Sequence, residues 1–293
     1  MAVAASIPSV RERRRSLVAA VPVYWHLLSF DAPTVAVLWA WSFARAVRVA
    51  AAPASLAVLG IGTWLLYIAD RLLDGRDGGT RNDLRERHFF HARHRRALLV
   101  AGYAAAISLA VFIFFMPPAA RREDTVIFAV AMVYFAVVHL PSVRLRFPRE
   151  LVVGLVFALA CIVPAWSQSG PARADLAVLA LLFAALCWLN CAAIHVWEKS
   201  ETGRRWSPVS TLALCVAAAA AALMALAGGQ HAGVLGLATA ALASALLLFA
   251  LDRDSSREAH RSAERAAPSS LAQRILADAA LLTPLLLLIR WRG

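Results

Sequence analysis

Ala54-Ser-Leu-Ala-Val-Leu-Gly-Ile-Gly-Thr-Trp-Leu-Leu-Tyr-Ile-Ala69 is a mostly apolar run that passes without a linker into Asp70-Arg-Leu-Leu-Asp74-Gly-Arg-Asp77. With Leu72 and Leu73 the run is long enough to cross a bilayer, which takes roughly 20 residues of helix, so its acids stand at the end of a spanning helix. On a helix Tyr67, Asp70, Asp74 and Asp77 fall at i, i+3, i+7 and i+10 and share one stripe. Three like charges in a stripe repel, and a cation, hydrogen-bond donors or water must offset them. Hard carboxylate oxygens suit Mg²⁺. The plainer alternative is that the helix ends at the membrane surface near Asp70 and that Gly75, Gly78 and Gly79 open a wet loop of solvated acids. Spacing alone leaves both readings standing.

Composition places the whole chain in the same setting. Of 293 residues 61% are hydrophobic and 16% charged, and mean hydropathy is +0.66, too little polar surface to cover a water-soluble domain of this length. Nine apolar runs follow one another, at 33–50, 54–73, 97–117, 124–141, 149–167, 174–196, 208–227, 232–251 and 271–290. The longest polar segments are 1–25, 74–96 and 252–270, so no soluble domain fits between the runs. The expected architecture is all-α and integral to the membrane, with nine transmembrane helices in a single bundle around a central cavity open to the cytoplasmic side, and one domain covering 1–293.

Residues 1–25 carry Arg11, Arg13, Arg14 and Arg15 and lack the apolar core and cleavage site of a signal peptide, which reads as a basic cytoplasmic leader. With nine spans starting inside, the leader and the cytoplasmic loops hold 22 of the 30 Lys and Arg residues, against 7 on the other side. That asymmetry is the positive-inside pattern. It places a multi-pass protein in the cell inner membrane with its N-terminus cytoplasmic and Gly293 outside. The net charge of +12 sits in membrane-flanking loops, where topology and anionic headgroups account for it without nucleic acid. Cys161, Cys187, Cys191 and Cys215 all lie in apolar runs and suggest helix packing, not a disulfide or a zinc site.

Three further stretches carry polar chemistry. Residues 81–96 hold Leu84, His88, Phe89 and His91 at rough helical spacing among arginines, as a surface helix in the headgroup region does; His88, His91 and His94 in such a loop are expected to be solvated. The fourth run ends on Tyr134, His139, Arg144, Arg146 and Arg149, a basic mouth whose guanidinium forks suit phosphate oxygens, and Gly154 then lets a neighbouring helix approach closely. The sixth run ends on Asn190-Cys-Ala-Ala-Ile-His195-Val-Trp-Glu198-Lys-Ser-Glu201, a second acidic pair at i, i+3 on the same side as the first. Asp31 and Pro33 suit the first turn of the first span, and Arg274 and Asp278, at i, i+4 in the last, read as a mutually compensated pair facing the bundle.

Nine spans, an Asp-Arg-x-x-Asp-Gly run ending the second and an acidic pair ending the sixth resemble the UbiA superfamily of intramembrane prenyltransferases, over nearly the whole chain. The resemblance implies Mg²⁺-dependent transfer of a prenyl group from a prenyl diphosphate to a small aromatic or lipid-like acceptor, with a UbiA-type terpene cyclase or a non-enzymatic membrane protein as alternatives. It implies that Asp70, Asp74, Glu198 and Glu201 are catalytic and hold Mg²⁺ together with Asp77. It further implies that Tyr67, Arg71, Tyr134, Arg144, Arg146 and Asn190 bind substrate. Ser29-Phe-Asp-Ala-Pro33 resembles the family's opening motif. Leu66-Tyr67 stand where the first motif opens on Asn-Asp, and glutamates stand for both aspartates of the second. The implied partners are the prenyl diphosphate, a hydrophobic acceptor and membrane lipids, with no nucleic acid and no obligate protein partner.

Reporter fusions test the topology. A reporter at Gly293 should be active only outside the cytoplasm; activity inside means an even number of spans.

Overall fold

The computed structural model describes residues 20–74, 86–139, 149–199, 208–227, 232–261 and 270–288. They form helices α1 (Ala20–Leu27), α2 (Asp31–Ala46), α3 (Pro53–Asp74), α4 (Glu86–Arg93), α5 (Arg95–Phe115), α6 (Pro118–His139), α7 (Arg149–Trp166), α8 (Arg173–Lys199), α9 (Pro208–Ala227), α10 (Ala232–Arg261), α11 (Ser270–Ala280) and α12 (Leu285–Leu288), with a 3₁₀ turn at Gly170–Ala172. No strand occurs among the described residues, as expected of a chain that must satisfy its backbone within each bilayer crossing.

Six helices, α3, α5, α7, α8, α9 and α10, are long and apolar enough to cross a membrane, and the pair α1–α2 makes a seventh if its two parts, bent by 89°, are one span. The protein is a multi-pass membrane protein. The other two expected spans are helical, but α6 opens on Arg121-Arg122-Glu123-Asp124 and α11 is only 11 residues long and carries Gln273, Arg274 and Asp278. Charge in α6 and brevity in α11 set them apart from the six.

The α1–α2 bend has a local cause. Leu28 and Ser29 form a turn in which Ser29 takes φ +57°, the left-handed region that costs a residue with a Cβ roughly 1–2 kcal/mol. Tertiary bonds hold it there: Trp64 of α3 donates Nε1–H to the Leu28 carbonyl at 3.0 Å and stacks on Phe30. Asp31 then begins α2 and accepts the N–H of Ala32 at 2.9 Å, a carboxylate at a helix N-terminus as the macrodipole favours.

Helix α2 lies at the centre and packs on α3, α7, α10 and α11, while α8 packs on α7, α9, α10 and α11. Trp39 and Phe183 stack at 4.2 Å in the shared core, and Phe43 and Phe157 also meet the Phe183 ring. Small residues do the rest: Ala213, Ala217 and Ala220 on α9 and Ala238, Ala241 and Ala245 on α10 are buried in one cluster, which lets helix backbones close up where lipid offers no hydrophobic drive. Gly154 gives the close approach its sequence suggests, since a Cβ there would lie 2.9 Å from the Ala184 carbonyl oxygen and the Trp188 nitrogen. In contrast, α5 and much of α6 leave Val100, Tyr103, Ile107, Phe114, Val126 and Val133 exposed, a surface suited to lipid.

Helix α4 corrects the expectation for the 81–96 loop. It packs against α3, and His91 is fully buried instead of solvated, because this short helix folds back onto the bundle and α3 covers one of its faces.

Gly233 is the tightest crossing described. A Cβ there would fall 2.2 Å from the Ala46 carbonyl oxygen. Gly233→Ala should therefore lower stability by about 1–3 kcal/mol despite alanine's better helix propensity, whereas Gly62→Ala, with nothing within 4 Å of the new methyl, should not. Thermal unfolding of the two variants in one detergent measures the difference.

Candidate functional site

The polar side chains gather at one end of the bundle. The C-terminal end of α3 meets the first turn of α7, where Arg149 Nη2 lies 3.4 Å from Asp70 Oδ1, and Arg71 Nη1 lies 3.4 Å from Asp70 Oδ2. Tyr134, near the end of α6, donates its hydroxyl to the Arg149 carbonyl at 3.4 Å. Glu150 stands 3.3 Å from His195 Nδ1 near the end of α8. The ends of α3, α6 and α8 thus surround the start of α7.

Two adjoining cavities open from this junction. The first, about 460 Å³, lies between α3, α5, α6 and α7. Its walls are apolar (Leu66, Phe128, Phe135 and Val156 among them), Asp70, Arg71, Tyr134 and Arg149 stand at one end, and Arg121 and Asp124 stand by α5's last turn at the other. The second, about 330 Å³, lies among α2, α3, α7, α8 and α11 and is lined by Asp31, Glu150, Asn190, His195 and Asp278. Tyr67, Arg71, Arg149, Val153, Phe157 and Cys191 line both. Helices α3, with Asp70 and Asp74, and α8, with Glu198, therefore face common cavities.

Of the residues singled out in the sequence, Tyr67, Asp70, Arg71, Tyr134 and Asn190 come together around these cavities. Asp74 and Glu198 lie on α3 and α8, but their side chains, like all of Asp77, Arg144, Arg146 and Glu201, lie outside the described residues. Arg149, which the sequence groups with Arg144 and Arg146 in a basic mouth, stands at the junction. Arg71 has a donor to spare: its Nε is buried and without a hydrogen-bond partner, its guanidinium lies 6.0 Å from the Tyr67 ring centroid, and it lines both cavities. Guanidinium groups with free N–H donors beside an apolar chamber are suited to an anion with an apolar tail.

A second cluster escaped the sequence reading. His26 of α1 places Nδ1 2.9 Å from Asp31 Oδ2 and 3.2 Å from Asp278 Oδ2. The ring nitrogen is thus within hydrogen-bond distance of both carboxylates, and a proton on Nδ1 would serve both. Asn190 Nδ2 donates to the other oxygen of Asp278 at 3.2 Å. Asp278 thus finds partners on α1 and α8, beyond the i, i+4 relation to Arg274 that its helix suggested. The sequence signal was thin: one histidine outside every apolar run, with partners 5 and 252 residues away.

Comparison of the chain with family models, with curated proteins and with solved structures gives no match.

The arginine junction should bind a phosphate-type anion. Titration with inorganic diphosphate should give saturable binding, weakened about 10–100-fold by Arg71→Ala or Arg149→Ala, the equivalent of one charge-assisted contact of roughly 1.5–3 kcal/mol. Unchanged affinity in both variants would mean that these arginines serve only Asp70 and the positive-inside pattern.

Proposed function

We propose that this chain is a membrane prenyltransferase of UbiA type, transferring a prenyl group from a prenyl diphosphate to a small aromatic or lipid-like acceptor in an Mg²⁺-dependent reaction. The observation that carries the reading is an apolar chamber ending at Asp70, Arg71 and Arg149, with a second, polar chamber on the far side of Tyr67 and Arg71. A prenyl chain matches the first, a diphosphate the arginines between, and an acceptor with polar groups the second. The reading includes nine membrane crossings, with α6 and the α11–α12 segment inside the bundle, and an N-terminus on the cytoplasmic side of the inner membrane.

Asp70 supplies hard carboxylate oxygens of the kind Mg²⁺ takes, and it stands at the mouth of the apolar chamber with Arg149 and Arg71 each 3.4 Å away. Asp70 would hold the ion together with Asp74, Asp77, Glu198 and Glu201. When bound, Mg²⁺ supplies charge neutralisation for the departing diphosphate. Arg71 and Arg149 orient the diphosphate and take up charge developing on it as the carbon–oxygen bond breaks. The apolar walls keep water from the allylic cation, and the rings of Tyr67, Tyr134 and Phe135 offer it their π faces. The acceptor then forms the new bond to the prenyl carbon and releases a proton.

Incubating the purified chain in lipid with radiolabelled prenyl diphosphates and a panel of aromatic acceptors, with and without Mg²⁺, tests the reading. A prenylated acceptor formed only with Mg²⁺ is expected, with Asp70→Asn and Arg149→Ala each lowering turnover by about 10–100-fold. A cyclic hydrocarbon would make the chain a cyclase, and no consumption of any prenyl diphosphate would sink the enzymatic reading.

A further inference from the structure

The His26–Asp31–Asp278 cluster uses none of the acids of the two pairs and has the make-up of a metal centre. Nδ1 of His26 and one oxygen each of Asp31 and Asp278 lie within 4.8 Å of one another, with the nitrogen 2.9 Å and 3.2 Å from the two oxygens. Ligands around a transition-metal ion at about 2.0–2.1 Å stand about 2.9 Å apart on an octahedron and about 3.3 Å on a tetrahedron. The two distances from the nitrogen fall in that range. They come from three separate elements, the end of α1, the first residue of α2 and the last turn of α11, so they form a face instead of a row along one helix.

Burial supplies the drive. His26 is 2% exposed and Asp31 9%, and two carboxylates next to one imidazole in so dry a place are short of positive charge. A divalent cation replacing the ring proton leaves two carboxylates, a neutral imidazole and a net charge of zero. An independent sign comes from Asn190. It is 6% exposed, lines the same cavity as Asp31 and Asp278, and has its amide orientation fixed because Nδ2 donates to Asp278. Its Oδ1 is buried with no partner, an unmet acceptor beside the three donors.

We propose that His26, Asp31 and Asp278 bind one borderline divalent transition-metal ion, of the Zn²⁺ and Co²⁺ class, at the wall of the polar cavity. The imidazole selects this class over Mg²⁺, which takes oxygen. Three protein ligands leave a position for water or for a ligand oxygen, the open arrangement of reactive metal sites. Asn190 orients Asp278 and offers the nearest further oxygen. The centre does not depend on the prenyltransferase reading, as its ligands are none of the carboxylates assigned to Mg²⁺.

The test uses the full chain purified in detergent, stripped with chelator, reloaded with Zn²⁺ or Co²⁺ in excess Mg²⁺ and desalted. One equivalent of metal by elemental analysis is expected, with Co²⁺ giving the visible absorption of a low-symmetry site. His26→Gln and Asp278→Asn should each weaken binding at least tenfold, while Asp70→Asn keeps the full equivalent. Should the ligand variants fold poorly, the wild type alone decides: Zn²⁺ should raise its melting temperature in a concentration-dependent way, and Mg²⁺ at the same concentration should not. No bound metal and no shift in melting, or metal that survives the loss of His26, would reduce the cluster to a proton-sharing knot. Prenyl transfer without Zn²⁺ uptake would overturn this proposal and spare the other; the reverse result would do the opposite.

Discussion

Buried charge without water is the constraint on which this bundle turns. In an apolar interior an unpaired carboxylate or imidazolium is costly enough that it must find a partner within the chain, and the partners found here decide which helices stand side by side. His26 joins α1 to α2 and α11 through Asp31 and Asp278, Asn190 brings in α8, and Asp252 of α10, 2% exposed, takes hydrogen bonds from Trp197 of α8 and Ser210 of α9. Helices α7, α3 and α6 meet through Arg149. Apolar packing alone would let these helices slide or rotate, since lipid is as good a neighbour for leucine as another helix. The few polar links fix the register.

Much of the fold was legible because hydropathy measures the same thing that membrane burial demands. The expected runs 149–167 and 208–227 are α7 (Arg149–Trp166) and α9 (Pro208–Ala227) almost residue for residue, and 54–73 is α3 within one residue at each end. The ends went wrong where a helix leaves the apolar layer: α10 continues to Arg261, ten residues past the apolar run, because backbone hydrogen bonding does not stop where side chains become polar. Helix α6 was expected from residue 124, and it begins six residues earlier, at Pro118, with charge in its first turns. There Arg121 turns back and donates Nη2 to the carbonyls of Phe114 and Met116, so part of that charge caps the end of α5.

The candidate site was legible by half. Asp70, Arg71, Tyr67 and Tyr134 stood out because charge and phenol groups at the end of an apolar run are conspicuous, and they do line one cavity. Arg149 was legible only as one arginine of a basic mouth, because linear spacing cannot tell that it reaches across to Asp70 on α3. His26 was invisible for a deeper reason. A single histidine has no periodicity, and nothing local in 1–30 marks it as the partner of a residue on α11.

That separation bears on how the protein is made. His26 and Asp278 are 252 residues apart, and Trp39 reaches as far, donating to the Leu281 carbonyl. A ribosome working at 5–20 residues per second needs roughly 10–50 s to synthesise that interval, and through all of it the nascent α1–α2 segment has only Asp31 to set against His26. The 89° bend sets α1 nearly at right angles to α2 in the meantime. Helix α11, with Gln273, Arg274 and Asp278 in 11 residues, is too polar to enter lipid unaided, and His26 and Asn190 are already in place to receive it. The polar cavity, walled in part by Asp278, thus cannot close until α11 has been made.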